Sequence, residues 1–338
     1  MFERRTLRLA AAAAGAAVVI LLPSAVSGYR SFQLVYVGIF FIALIGLNVL
    51  TGHNGQISLG HGAWVAIGAY TTAIVVTHTG VHALWTIPLA GLVAGVAGYL
   101  FGFPALRLEG VYLALATFAV AIALPSLAKR FPGLTGGGTG IGLDQPKAPF
   151  GLPLSPTHWL YALTWSIAAV LFAASWLLLR GKFGRTLRAV RDSEVAAASI
   201  GIDAAAYKRL AFGLSAFYGG IAGGLMAIAI AYVNPDTFPA TLSILLLTGA
   251  VVGGLGSLEG MLFGAIFIQF APDWGDKLSK QVHFNEASVQ STVFYGLILL
   301  MVLFLMPGGA AGLLHQLRTS LKRLMVWLYS RADSRATA

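Results

Sequence analysis

Hydrophobic residues fall in long blocks along this chain, and polar residues come in short clusters between them. Apolar runs of about 18 residues or more recur throughout, the length that crosses a hydrocarbon core as a helix. Their approximate cores lie at 9–26, 33–50, 61–79, 83–102, 111–128, 158–179, 210–232, 240–256, 259–272 and 290–306. They lack the period of two of a membrane barrel. In lipid every peptide group must be paired internally, so the blocks predict helices. The expected fold is an all-α integral membrane protein with about ten transmembrane helices, in a single domain over 1–338. Short, Gly-rich blocks predict broken or tilted helices. The first block has a second reading: "MFERRTLRLAAAAAGAAVVILLPSAVSGY" also has the basic start, apolar middle and small-residue "AVS" of a secretory signal. Cleavage there leaves the remaining spans in the same orientation.

Composition narrows the class. The chain is 57% hydrophobic and 10% charged, whereas a soluble domain carries about 25% charged residues. A soluble fold has too little polar surface here. Without cysteine there is neither a disulfide framework nor a thiolate metal site. The net charge of +10 is read as loop charge that sets orientation rather than as a nucleic-acid surface. With the N-terminus in the cytoplasm, six of the 22 Lys and Arg residues fall outside: Arg30, Lys129, Arg130, Lys147, Lys277 and Lys280. The other 16 fall inside, a positive-inside bias. Both termini are then cytoplasmic, with 312–338 a basic cytoplasmic tail.

Three polar clusters carry candidate chemistry. The segment "RGKFGRTLRAVRDSEVAAASIGIDAAAYKRL" (180–210) is too polar to span. Asp192 and Ser193 are N-cap residue types, Glu194 suits a first helical turn, and Gly201 is a natural stop. Asp203 can cap the next helix. The prediction is a short helix across the cytoplasmic face, with Ala196, Ala197, Ala198 and Ser199 on its exposed side. Such a thin rod suits docking in a groove of another protein; it also suits an ordinary solvated loop. Arg191 stands just before it.

The second cluster, "LTGHNGQISLGHGAWVAIGAY" (50–70), places His53, Asn54, Gln56, Ser58 and His61 among glycines between apolar blocks. Polar groups at membrane depth are tolerated where protein or water surrounds them. Glycines let helices approach closely. Gly55, Gly60 and their neighbours predict a tight crossover between helices. No carboxylate accompanies His53 and His61, so no metal site is expected, and Ser58 with His61 lacks the third group of a nucleophilic site. The third cluster, "TGAVVGGLGSLEGMLFGA" (248–265), offers a small-residue packing face. Glu259 within it is either a functional acid near a span core or a helix-start residue beside Ser257. The Gly- and Pro-rich stretch 129–158 predicts an irregular extracytoplasmic loop. Its "GGGTG" lacks the Lys-Ser/Thr ending of a P-loop, and no P-loop occurs elsewhere.

The residues also carry a resemblance. "EVAAASIG" (194–201) resembles the EAA-type loop of ABC importer permeases. "GLNVLTGHNGQISLGHGAWVAIGAYTTA", "LTGGGTGI", "GRTLRAVRDSEVAAASIGIDAAAYKRLAF" and "NPDTFPATLSILLLTGAVVGGLGSLEGMLFGA" resemble LivM-type permeases of branched-chain amino-acid ABC importers, in the family's order from about Leu44 to Gly309. Asn54 departs from the Thr often found there. The resemblance implies a homologous LivH-like second permease, two ATP-binding cassette subunits, an extracytoplasmic solute-binding protein and no cofactor. It implies ATPase coupling through Arg191, Glu194, Ala197, Ala198 and Gly201. Substrates are branched-chain or related amino acids, or urea and short amides. Gly55, Gln56, Ser58, Gly60 and His61 then either line or brace the pathway, or form a packing crossover without substrate contact. An ion-coupled secondary transporter is the rival function, disfavoured by span cores almost free of charge. A membrane enzyme needs a paired acid and base or a ligand cluster, and neither is legible.

Overall fold

The structure is a computed structural model and describes residues 27–144, 155–281, 296–301, 304 and 308–313. The block at 9–26, the signal-like start, most of the block at 290–306 and the basic tail beyond 313 lie outside the described residues.

The described chain is almost entirely helical. Helix α1 (Gly28–Leu47) widens into a π turn (Asn48–His53). It is followed by α2 (His61–Thr79), α3 (Ala83–Ala105), α4 (Gly110–Arg130) and the single turn α5 (Pro132–Thr135). After β1 (Ile141–Gly142) come α6 (Pro156–Arg180), α7 (Lys182–Asp192), α8 (Glu194–Ser199) and α9 (Ala204–Ile230). Then follow β2 (Tyr232–Val233), a 3-10 turn (Pro235–Thr237), α10 (Ala240–Gly253) and α11 (Gly260–Gln281). Among the described residues six helices are long and apolar enough to cross a membrane: α1 with its π turn, α3, α4, α6, α9 and Pro235–Gly253. Helices α2 and α11 coincide with two further apolar blocks but carry more His, Thr, Asp and Lys. The chain is an all-α, multi-pass membrane protein.

Two compact units divide the chain, one up to Leu247 and one from Thr248. In the first, α9 is central and packs against α1, α2 and α3. Lipid gives no hydrophobic drive for helix association, so close backbone approach between small residues supplies it. A Cβ at Gly223 would lie 1.8 Å from the Val65 carbonyl oxygen, and one at Gly68 2.1 Å from the Gly220 carbonyl oxygen. The obstacle in each case is main chain, which cannot rotate away. Helix α1 lies on α6, where Trp165 Nε1 donates to the Leu34 carbonyl at 3.1 Å. Tyr218 of α9 donates to the Leu171 carbonyl at 3.1 Å and meets Ser175 Oγ at 2.6 Å. Helices α3, α4 and α6 present Leu92, Val96, Leu115, Ile122 and Val170 outward, an apolar coat suited to lipid rather than water.

The ends of this unit sort as the charge pattern does. At one end the Arg209 guanidinium lies 4.7 Å over the Phe103 ring, so α3 finishes where α9 begins, beside α7 and α8. At the other, where α9 finishes, β2 pairs antiparallel with β1, and Lys129 meets Asp236 at 3.0 Å. The irregular loop expected at 129–158 is therefore ordered in its described first part. Thr135 Oγ1 donates to the Ala128 carbonyl at 2.6 Å, and the Tyr232 hydroxyl donates to the Thr139 carbonyl. In the second unit α11 folds back on the last turn of α10. A Cβ at Gly260 would lie 2.1 Å from the Gly253 carbonyl oxygen. Ser257 Oγ accepts from the Gly260 N–H at 3.1 Å and Glu259 is exposed, which favours the helix-start reading of that acid. Val252, Phe267 and Ala271 form its core, with Ile298 and Leu299 packed against it.

Candidate functional site

The glycine-rich stretch that follows α1 is a helix break held by its own polar groups. The π turn lets Asn54 N–H reach the Val49 carbonyl at 3.2 Å and Gln56 N–H the Leu50 carbonyl at 3.1 Å. Such wide turns recur at functional sites because they interrupt a helix without losing its hydrogen bonds. His53 Nδ1 lies 3.2 Å from the Asn48 carbonyl, Thr51 Oγ1 donates to the Gln56 carbonyl at 3.1 Å, and Asn54 Nδ2 donates to Gln56 Oε1 at 2.5 Å. Hydroxyls from three other helices then catch the chain as α2 begins. Thr117 Oγ1 of α4 accepts from Leu59 N–H at 2.9 Å, and Ser243 Oγ of α10 accepts from Gly62 N–H at 2.9 Å. Ser215 Oγ of α9 lies 3.4 Å from His61 Nδ1. A Cβ at Gly60 would fall 2.4 Å from the Thr117 carbonyl oxygen, so only glycine fits.

The polar segment 180–210 folds as its capping residues dictate. Ser193 Oγ accepts from Ala196 N–H at 3.2 Å, opening α8. Gly201 closes it at φ 80°, with Gly201 N–H bonded to the Ala198 carbonyl at 3.0 Å and Ile202 N–H to the Ala197 carbonyl at 3.1 Å. This paired arrangement satisfies the last free carbonyls of the helix. Asp203 Oδ1 then accepts from Ala206 N–H at 3.0 Å and starts α9. Glu194 forms an ion pair with Lys208. One expectation is corrected: Ala197 is buried, turned inward because α8 packs on α7 and α9, and does not share the exposed side with Ala196, Ala198 and Ser199. The outward face instead carries Val195, 82% exposed, and Ile200, 73% exposed.

Arg191 joins the two places. Its Nη1 donates to the Gly52 carbonyl in the π turn at 2.9 Å, while Asp192 holds its Nε at 3.0 Å. Its aliphatic stem packs on Gly55, where φ is 77° and a Cβ would meet Arg191 Cγ at 2.6 Å. The structure thus links Arg191 to Gly52 across 139 residues of sequence, and packs its stem on Gly55 nearby. Gln56, Ser58, Gly60 and His61 are buried. Sequence reasoning missed Thr117, Ser215, Ser243 and Lys208. Each is one hydrogen-bonding residue in a long helix, and no local signal marks its distant partner. Among the described residues no group of His, Asp and Glu could hold a metal ion.

The class defined so far is a multi-pass helical membrane protein with a helix broken at depth and clamped to a polar loop. Residues 29–305 match the family model for the branched-chain amino acid transport system permease component, and the chain belongs to that family. It is 33% identical over 84% of its length to the high-affinity branched-chain amino acid transport system permease protein LivM of Escherichia coli, covering 69% of that protein. It is 25% identical to BraD of Pseudomonas aeruginosa, over 81% of this chain and 91% of that one. It is 23% identical to LivH of Salmonella typhimurium, again over 81% and 91%. Its function is that of a transmembrane permease subunit of an importer.

Proposed function

We propose that this chain is one of two homologous permeases in an ATP-driven importer of branched-chain or related amino acids. The second is LivH-like, two ATP-binding cassette subunits drive the pair, and an extracytoplasmic solute-binding protein supplies substrate. About ten helices span the bacterial plasma membrane, with both termini in the cytoplasm. Helix α8 docks on an ATP-binding subunit through Val195 and Ile200, while Ala197, Ala198 and Gly201 shape the turn that presents them. Glu194 is held for that task by Lys208.

The observation that carries this reading is the Arg191 clamp on Gly52 and Gly55. Arg191 lies near the end of α7, just before α8, so a displacement of α8 bears on the hydrogen bond that ties Arg191 to the break in the helix. Rigid transmission of this kind needs a short, directly bonded chain of contacts, which the clamp supplies. Purified importer in proteoliposomes decides the energy source. With ATP inside and all ion gradients collapsed by ionophores, leucine uptake is expected to proceed at its full rate. Uptake that follows the ion gradient and ignores ATP would assign the chain to an ion-coupled transporter instead.

A further inference from the structure

Between the Arg191 clamp and α2 the chain is irregular, with a bend at Leu59, and its exposure alternates. Gln56, Ser58 and Gly60 are buried, Gly55 and Ile57 are exposed, and Leu59 is half-buried. Alternate residues are thus packed against the protein or left open. Gln56 on the packed side holds the hydrogen bonds to Thr51 and Asn54, and the Leu59 N–H is held by Thr117. The open face holds Ile57, 46% exposed, and among the described residues neither its N–H nor its C=O has a hydrogen-bond partner.

Depth makes that openness informative. Gly55 lies against Arg191 of the polar loop, and five residues on Gly60 lies against Thr117. Thr117 is seven residues beyond the start of α4 at Gly110, about 10 Å along its axis. The stretch therefore climbs into the membrane from its cytoplasmic end. Open peptide groups at that depth are not stable against hydrocarbon; irregular backbone survives there only in protein or beside water. An apolar amino acid in transit carries two charged groups and a greasy side chain. A peptide donor and acceptor beside Ile57 and Leu59 offer partners to both.

We propose that Gly55, Ile57 and Leu59 form one wall of the water-filled translocation passage, with Ile57 and Leu59 as its apolar constriction. The wall rests on the reading of the chain as an importer permease. It also gives the clamp a purpose, since Arg191 packs on the first residue of the wall.

Because this chain has no cysteine, a single introduced thiol is the only one it carries, and labelling is read on this subunit after it is separated from the others. The test uses the assembled importer in membrane vesicles and a charged, water-soluble methanethiosulfonate reagent. Such reagents attack thiolates, which form only in contact with water. The Ile57→Cys and Leu59→Cys proteins should be modified roughly tenfold or more faster than the Ser58→Cys protein, whose site faces inward. If the Ile57→Cys protein reacts as slowly as the Ser58→Cys protein, lipid or the second permease covers the stretch and the wall does not exist. Leucine uptake by the unaltered importer, measured in parallel, separates the two readings. Alternating reactivity without leucine uptake keeps the wall and removes the substrate assignment. Uptake without alternation overturns the wall alone.

Discussion

At Gly55 two demands meet on one residue. The backbone sits in the left-handed region at φ 77°, and the Arg191 stem fills the space a side chain would need. Either alone favours glycine; together they fix the register between the polar loop and the helix break. Gly55→Ala should add strain of about 1–2 kcal/mol and displace Arg191. Leucine uptake per membrane-inserted permease should fall several-fold, while Gly28→Ala, whose Cβ meets nothing within 4 Å, should leave it unchanged. Equal uptake by the two proteins would detach the clamp from transport. At this scale the sequence was legible in part. Polar residues among glycines singled out this stretch, because polarity at depth demands a partner. Which face they take was not legible: Thr117, Ser215 and Ser243 draw the polar side chains inward, and each lies far along the chain. Ile57 gave no signal at all, since an apolar residue in an apolar protein has nothing to distinguish it.

At the scale of elements, α8 shows what local chemistry can specify. Ser193, Gly201 and Asp203 act as their residue types predict, because a cap needs only neighbours within a few positions. The inward turn of Ala197 depends on α7 and α9, so capping rules say nothing of it. Gly201→Val should strain the left-handed stop by about 1–3 kcal/mol and unseat the Gly201 and Ile202 hydrogen bonds. Amide exchange over 194–202 should then speed up in the purified protein, with exchange in α9 beyond its first turn unchanged. Undisturbed exchange over 194–202 would show that the cap does not hold this helix. The same division between local and distant explains the Gly- and Pro-rich loop after α4. Its glycines announce turns, but the pairing of Ile141 with Val233 joins strands far apart in sequence, and no turn signal encodes it.

At the scale of the molecule, the apolar coat of α3, α4 and α6, the sorting of basic residues to one end, and the family match describe one kind of machine. On the proposed reading an ATP-binding subunit supplies the work, and the exposed Val195 and Ile200 side chains are the proposed place of contact. Most of that plan is written in hydropathy and charge, which are properties of whole segments. The clamp that ties loop to break is a property of single atoms, and only the fold reveals it. The central claim is that α8 meets an ATP-binding subunit, and site-directed crosslinking tests it most directly. A photoreactive maleimide is attached to Val195→Cys in the assembled importer, which holds no other thiol in this chain. Ala197→Cys, buried against the chain itself, serves as the comparison. Illumination should join the Val195→Cys protein to an ATP-binding subunit in high yield and leave the Ala197→Cys protein uncrosslinked to it. A transport-active importer in which Val195→Cys gives no crosslink to an ATP-binding subunit would contradict the account.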